Sequence, residues 1–186
     1  FDPVHRAHLQ GARYALEQAQ LDRVVFIPAA QSPLKAHAPL TDAAVRLQML
    51  SLALQGEARF ELDGSEIERG GLSYTIDTVR HFSAEHPDTE LYWIIGADQF
   101  EQLDRWHRIE ELIERVIFLV FARPGSHLEA SALIPKLRYQ VIDAPLMTDS
   151  SSVIRQYCRE GRSLEGLVPV AVQAFISEQE LYTNLQ

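Results

Sequence analysis

The chain holds a single cysteine, Cys158, in 186 residues. A disulfide framework is therefore impossible, and a reducing compartment, the cytoplasm, is the natural setting. No apolar run approaches the ~20 residues that a membrane span requires, and no signal peptide opens the sequence. Basic residues are in deficit: 17 Lys and Arg face 26 Asp and Glu, a net charge of −9. That argues against a broad nucleic-acid or anionic-membrane surface. It leaves open an anionic small ligand, which senses only the local field of a pocket. Internal repeats, low-complexity tracts and blocks of like charge are also missing, and the 46% apolar content is that of an ordinary globular chain. Such a chain buries a core without staples, and its length predicts one domain over 1–186 with a helical portion from about 150.

Short apolar runs alternate with helical patterns. Leu9, Ala12, Leu16 and Ala19 recur at helical spacing and predict a first helix over 8–20. Val24–Ile27 reads as a strand stopped by Pro28, and 28–40 as a loop with three prolines. Thr41 is a candidate cap for a helix carrying Val45, Leu47, Leu50 and Leu54. Strands are expected at 59–62, 91–95, 116–121 and 139–142, with helices from 73 or 75 through Phe82, at 109–115, at about 150–159 and at about 169–179. This alternation predicts an α/β fold: a Rossmann-like, open, mostly parallel sheet with helices on both faces. In such folds ligands sit beyond the carboxyl ends of the strands, so the loops after strands are where to search.

Those loops carry chemistry. Phe1-Asp2-Pro3-Val4-His5-Arg6-Ala7-His8 puts two histidines three apart at a helix start. There they share one side of the first turn, where free N–H groups and the helix dipole suit phosphate. The spacing equally fits two solvated histidines; for zinc, no third ligand has a convincing spacing. Lys35 lies on the proline-rich loop, where a lysine could serve a ligand or only solubility. After the strand at 91–95, Gly96 permits close backbone approach, and Asp98 is placed either to accept from ribose hydroxyls or to cap a helix. Ser150, Ser151 and Ser152 precede Arg155 by about one turn, so hydroxyls, N–H groups and a guanidinium could converge on one polyphosphate.

At this point the sequence resembles a known family. H-R-A-H after F-D-P-V is similar to the (H/T)xGH signature of the nucleotidyltransferases, and S-S-S-V-I-R to their ISSTxIR signature. V-V-F-I-P-A-A-Q-S-P-L-K, E-I-E-R-G-G-L-S-Y-T-I-D-T, W-I-I-G-A-D, the Trp106-His107 pair and F-A-R-P-G resemble the bacterial nicotinate-nucleotide adenylyltransferases in particular, in matching order and spacing. Three positions depart from the pattern: Ala7 stands for glycine, Ser152 for threonine and Leu34 for a frequent histidine. The family's first strand and its glycine-rich turn are expected upstream of Phe1.

The resemblance implies the nucleotidyltransferase fold and adenylyl transfer from ATP to nicotinate mononucleotide, by direct displacement without a covalent intermediate. It implies catalytic roles for His8, His5 and Arg155, and ATP binding by those three with Lys35, Gly96, Asp98, Arg123, Ser151 and Ser152. Ser73, Tyr74, Thr75, Trp106 and His107 would bind the mononucleotide. Mg²⁺ would be held mainly by the ATP phosphates, since no carboxylate cage is visible. Nucleic acid and membrane are not expected partners, and the oligomeric state is open. Rival readings are a pantetheine-phosphate or nicotinamide-mononucleotide adenylyltransferase, a cytidylyltransferase, and a nucleotide-binding module without turnover.

Overall fold

The computed structural model describes residues 1–34, 37–122, 136–145 and 149–183. In chain order the elements are α1 (Arg6–Gln18), β1 (Val24–Phe26), α2 (Ala43–Ala53), β2 (Phe60–Leu62), α3 (Ser65–Arg69), α4 (Thr75–Glu85), β3 (Leu91–Gly96), α5 (Ala97–Phe100), a 3-10 turn at Leu103–Arg105, α6 (Ile109–Arg115), β4 (Val116–Phe121), β5 (Tyr139–Ile142), α7 (Ser151–Arg159) and α8 (Val170–Glu178). The chain forms two compact units: Phe1–Gln10, Asp22–Leu72 and Met147–Gln186 make the first, Gly11–Leu21 and Ser73–Leu146 the second.

In the first unit β1 and β2 pair in parallel, Val24 opposite Phe60, with α2 as the crossover and α8 packed on α2. Phe26 and Phe60 meet with centroids 5.2 Å apart. Met49 and Leu50 of α2 are fully buried, as is Val172 of α8. The expected cap of α2 is corrected: Asp42 holds the N-cap position. The Thr41 hydroxyl instead donates to the Asp2 carboxylate at 2.6 Å. α1 starts two residues earlier than its apolar stripe predicts. The Leu167 carbonyl takes the Arg6 N–H at 2.9 Å and the His5 carbonyl takes that of His8 at 3.0 Å, winding the first turn ahead of the stripe.

In the second unit β3, β4 and β5 are parallel in that order, with Leu91 opposite Val116 and Phe118 opposite Tyr139. The alternation along β4 sends Val116, Phe118 and Val120 into a cluster with Ile76 and Val79 of α4 and Leu112 and Ile113 of α6. Leu119 points the other way, with Ile142, toward Ala15 of α1. This sheet is therefore covered by helices on both faces, and the sheets are parallel and open, as the alternating pattern predicts. Burying each such side chain contributes roughly 1.5–3 kcal/mol.

Candidate active site

The first unit assembles the histidines. His5, 5% exposed, immediately precedes α1, and its ring lies 3.7 Å from that of half-buried His8, tilted by 35°. Burial pulls the His5 pKa down from 6.5 to about 4, so the imidazole is neutral at neutral pH. Its Nδ1 is buried without a partner among the described residues. The His5 backbone N–H donates to His8 Nδ1 at 3.2 Å. A nitrogen that accepts cannot carry the proton, so neutral His8 holds its proton on Nε2. Phe1 meets the His8 ring edge-on at 4.7 Å. The histidines are thus a stacked, partly buried pair rather than two solvated side chains. Ala7, in the glycine position, lies within α1 and is not among the described residues with positive φ, so alanine suits its backbone.

Asp2 ties three segments together. Its Oδ2 accepts the Leu40 N–H at 2.7 Å, and its Oδ1 accepts the hydroxyls of Thr41 at 2.6 Å and Tyr182 at 2.8 Å. Burial pushes the Asp2 pKa up, but these donors and the Arg155 charge outweigh it and hold the carboxyl below its usual range. The second signature docks on the same turn. Ser151 Oγ donates to the Pro3 carbonyl at 2.9 Å, and Arg155 Nη1 to the Asp2 carbonyl at 2.7 Å. Arg155 Nη2 donates to Ser152 Oγ at 3.2 Å, and Ser150 caps α7 by accepting the Val153 N–H. Ser151 and Arg155 are therefore bonded to the backbone of the turn that leads into His5 and His8, with Ser152 joined through Arg155. On α2, buried Arg46 donates to the carbonyls of Ala29 at 2.6 Å and Ala30 at 3.5 Å, fixing the start of the proline-rich loop.

The second unit holds the remaining described candidates. Gly96 is the N-cap residue of α5, and a Cβ there would meet no atom of the described residues within 4 Å. Asp98 is exposed in the first turn of α5, not at its cap; the capping alternative is corrected. Ser73 is buried, and Tyr74 and Thr75 are half-buried at the start of α4. The Tyr74 ring lies 4.5 Å from exposed His107. Trp106 is half-buried, its ring set at 77° to that of Phe118 with centroids 6.2 Å apart, and its indole Nε1 is buried without a partner among the described residues. It is thus partly a core residue. Lys35 and Arg123 lie outside the described residues. Sequence reasoning missed Asp2, Tyr182 and Arg46 as organising residues. Asp2 stood inside the quoted F-D-P-V segment, a usable signal; Tyr182 and Arg46 carried none.

A family profile described as Cytidylyltransferase-like matches residues 1–157. A protein of Opitutus terrae named "Probable nicotinate-nucleotide adenylyltransferase" is 42% identical over 186 residues, covering 100% of this chain and 95% of its own. One of the same name from Geobacillus kaustophilus is 44% identical over 184 residues, covering 98% and 82%. Among solved structures, Plasmodium falciparum nicotinic acid mononucleotide adenylyltransferase complexed with NaAD superposes with a TM-score of 0.81 at 20% identity, covering 100% of this chain and 95% of that one. That likeness establishes the nucleotidyltransferase fold. Identity above 40% along essentially the whole chain settles the kinship: this chain belongs to the nicotinate-nucleotide adenylyltransferases.

Proposed function

We propose that this protein transfers the adenylyl group of ATP to the phosphate of nicotinate mononucleotide, releasing pyrophosphate and forming the deamido dinucleotide, a step in making NAD. The observation that carries this reading is the docking of α7 on the histidine turn through the carbonyls of Asp2 and Pro3, which gathers two histidines, two hydroxyls and a guanidinium in one unit. The substrate phosphate oxygen is the nucleophile. It forms a bond to the α-phosphorus as the bond to the β-phosphate bridging oxygen breaks. No protein nucleophile is required, so catalysis rests on positioning and charge stabilisation.

His8 is the donor to the α-phosphate oxygens as charge builds, acting through Nε2–H. His5, kept neutral by burial, supports the same oxygens. Ser151, Ser152 and Arg155 hold the departing β- and γ-phosphates, and the resemblance adds Lys35 and Arg123. Gly96 and Asp98 receive the adenosine ribose; Ser73, Tyr74, Thr75, Trp106 and His107 receive the mononucleotide. Mg²⁺ would be held by the triphosphate oxygens and water, neutralising charge on the leaving group. The donor set supports this: both Asp2 oxygens already accept hydrogen bonds. No cluster of three or more metal-ligating side chains occurs among the described residues. No helix among the described residues is long and apolar enough to cross a membrane, and the lone cysteine supports a cytoplasmic setting. Association with further copies of the chain remains part of the proposal.

The test is His8→Ala in an assay that follows pyrophosphate and dinucleotide together. Loss of one transition-state donor should lower kcat by about 10²–10³; because the variant also removes the acceptor of the His5 N–H, kcat is compared on protein shown to be folded. Normal turnover would remove His8 from the reaction.

A further inference from the structure

Glu111 of α6 gathers three arginines. Its Oε1 accepts from Arg80 Nε at 2.9 Å and Arg115 Nε at 3.2 Å; its Oε2 accepts from Arg80 Nη2 at 2.7 Å and pairs with Arg108 Nη2 at 2.8 Å. Arg80 also reaches Asp77 at 3.3 Å. The Glu111 side chain is 21% exposed, against 36%, 53% and 41% for Arg80, Arg108 and Arg115. Isolated surface pairs contribute little stability, so what the network connects matters more than its strength.

Asp77 and Arg80 belong to α4, which begins at Tyr74 and Thr75. Arg108 directly follows Trp106 and His107. It adopts φ 55°, ψ 43°, a left-handed conformation that non-glycine residues hold only when their surroundings over-determine it. Two restraints act there: the Arg108 carbonyl accepts the N–H groups of Glu111 and Leu112, each at 3.1 Å, and its guanidinium is held by the Glu111 carboxylate. The same two segments meet again where the Tyr74 and His107 rings stack at 4.5 Å. One carboxylate thereby ties the 106–108 turn to α4 through Arg108 and Arg80.

We propose that Glu111 is a positioning residue for the acceptor substrate: it sets the geometry of Tyr74, Trp106 and His107 and so the affinity for nicotinate mononucleotide. This rests on the assignment of those residues to the mononucleotide made above. Glu111 touches no substrate; its effect passes through Arg108 and Arg80.

The experiment is steady-state kinetics on Glu111→Gln and Glu111→Ala, with the acceptor and ATP varied separately. KM for nicotinate mononucleotide should rise about five- to tenfold, in the range expected for directly contacting networks, while KM for ATP and kcat stay within about twofold. A merely structural role would lower the melting temperature and leave the ratio of the two KM values unchanged; that result overturns the proposal. Arg108→Ala, which removes an exposed side chain, provides the same test if Glu111 variants fold poorly, and should raise the same KM selectively. In the double variant Arg108→Ala with Glu111→Ala the two effects should be less than additive, and independent effects would contradict the proposed route. Failure of the underlying assignment is distinguishable: Tyr74→Ala and Trp106→Ala would then leave KM for nicotinate mononucleotide unchanged in a protein that still turns it over.

Discussion

Acidification from pH 7 to pH 5 should cost the fold about 2 kcal/mol through His5 alone. His5 titrates at 6.5 in an unfolded chain, whereas burial pulls its folded pKa to about 4. Between those values the unfolded chain binds the additional proton. The folded state therefore keeps its full advantage above about pH 6.5 and loses it progressively as pH falls toward 4. Each unit of pKa difference corresponds to about 1.4 kcal/mol, so 1.5 units are expressed at pH 5 and the loss approaches about 3 kcal/mol near pH 4. The assay is urea unfolding of the native chain and of His5→Gln at pH 7 and pH 5. Histidines common to both cancel. Asp2, Glu111 and Glu160, whose pKa values are lowered, lose their contribution as pH falls through the carboxylate range, and the part of that loss reached by pH 5 is common to both proteins. The stability difference between the two proteins should change by about 2 kcal/mol in the direction that disfavours the native chain at pH 5. An unchanged difference would mean that His5 titrates like a solvated histidine, and the buried, neutral imidazole assigned to it would be wrong.

Two further substitutions separate structure from chemistry. Arg155→Ala removes the charged donor to the Asp2 carbonyl, so unfolding experiments should show a loss of about 1.5–3 kcal/mol, and kinetics a higher KM for ATP; a stability loss with KM unchanged would make Arg155 purely structural. Ala7→Gly should lower stability by about 1 kcal/mol, since residue 7 is helical, and leave KM for ATP within a few-fold; a large gain in ATP affinity would show that the methyl group crowds the triphosphate.

The strands at 116–121 and 139–142 were legible to the residue, because β4 is an unbroken apolar run that starts immediately after a charged helix end. α3 was not. It is five residues long with Ile67 as its only large apolar residue; Asp63 holds its first turn by accepting the Ser65 N–H, and Gly70 ends it at φ 66°. Nothing in that pattern has helical period. The H-x-x-H spacing correctly placed two histidines together, but it could not distinguish buried His5 from half-buried His8, since burial depends on what packs over the turn. Asp2 was legible as part of the F-D-P-V segment, but its organising role was not. Its side-chain donors come from Leu40, Thr41 and Tyr182, and its carbonyl binds Arg155, so all four partners are 38 or more residues away in sequence. Arg46 sat in an apolar helix where an arginine reads as a solvated residue; its burial is explained by two carbonyls of a loop that local patterning does not place.

The most direct test of the central claim is product formation by the unmutated protein from ATP with Mg²⁺ and each of two acceptors, nicotinate mononucleotide and its amide. Both acceptors present the same cationic ring, so the stacking on Trp106 proposed above, a cation–π contribution of ~0.5–2 kcal/mol, would not separate them. Discrimination requires N–H donors aimed at the ring substituent: a carboxylate accepts from two, whereas an amide turns its NH₂ toward one and leaves it unpaired, at a cost of ~1–3 kcal/mol. The acid should give equimolar pyrophosphate and deamido dinucleotide, with kcat/KM exceeding that for the amide by about 5- to 150-fold. Equal kcat/KM for the two acceptors would contradict the preference for the acid and leave only adenylyl transfer, and no dinucleotide from either would contradict adenylyl transfer itself.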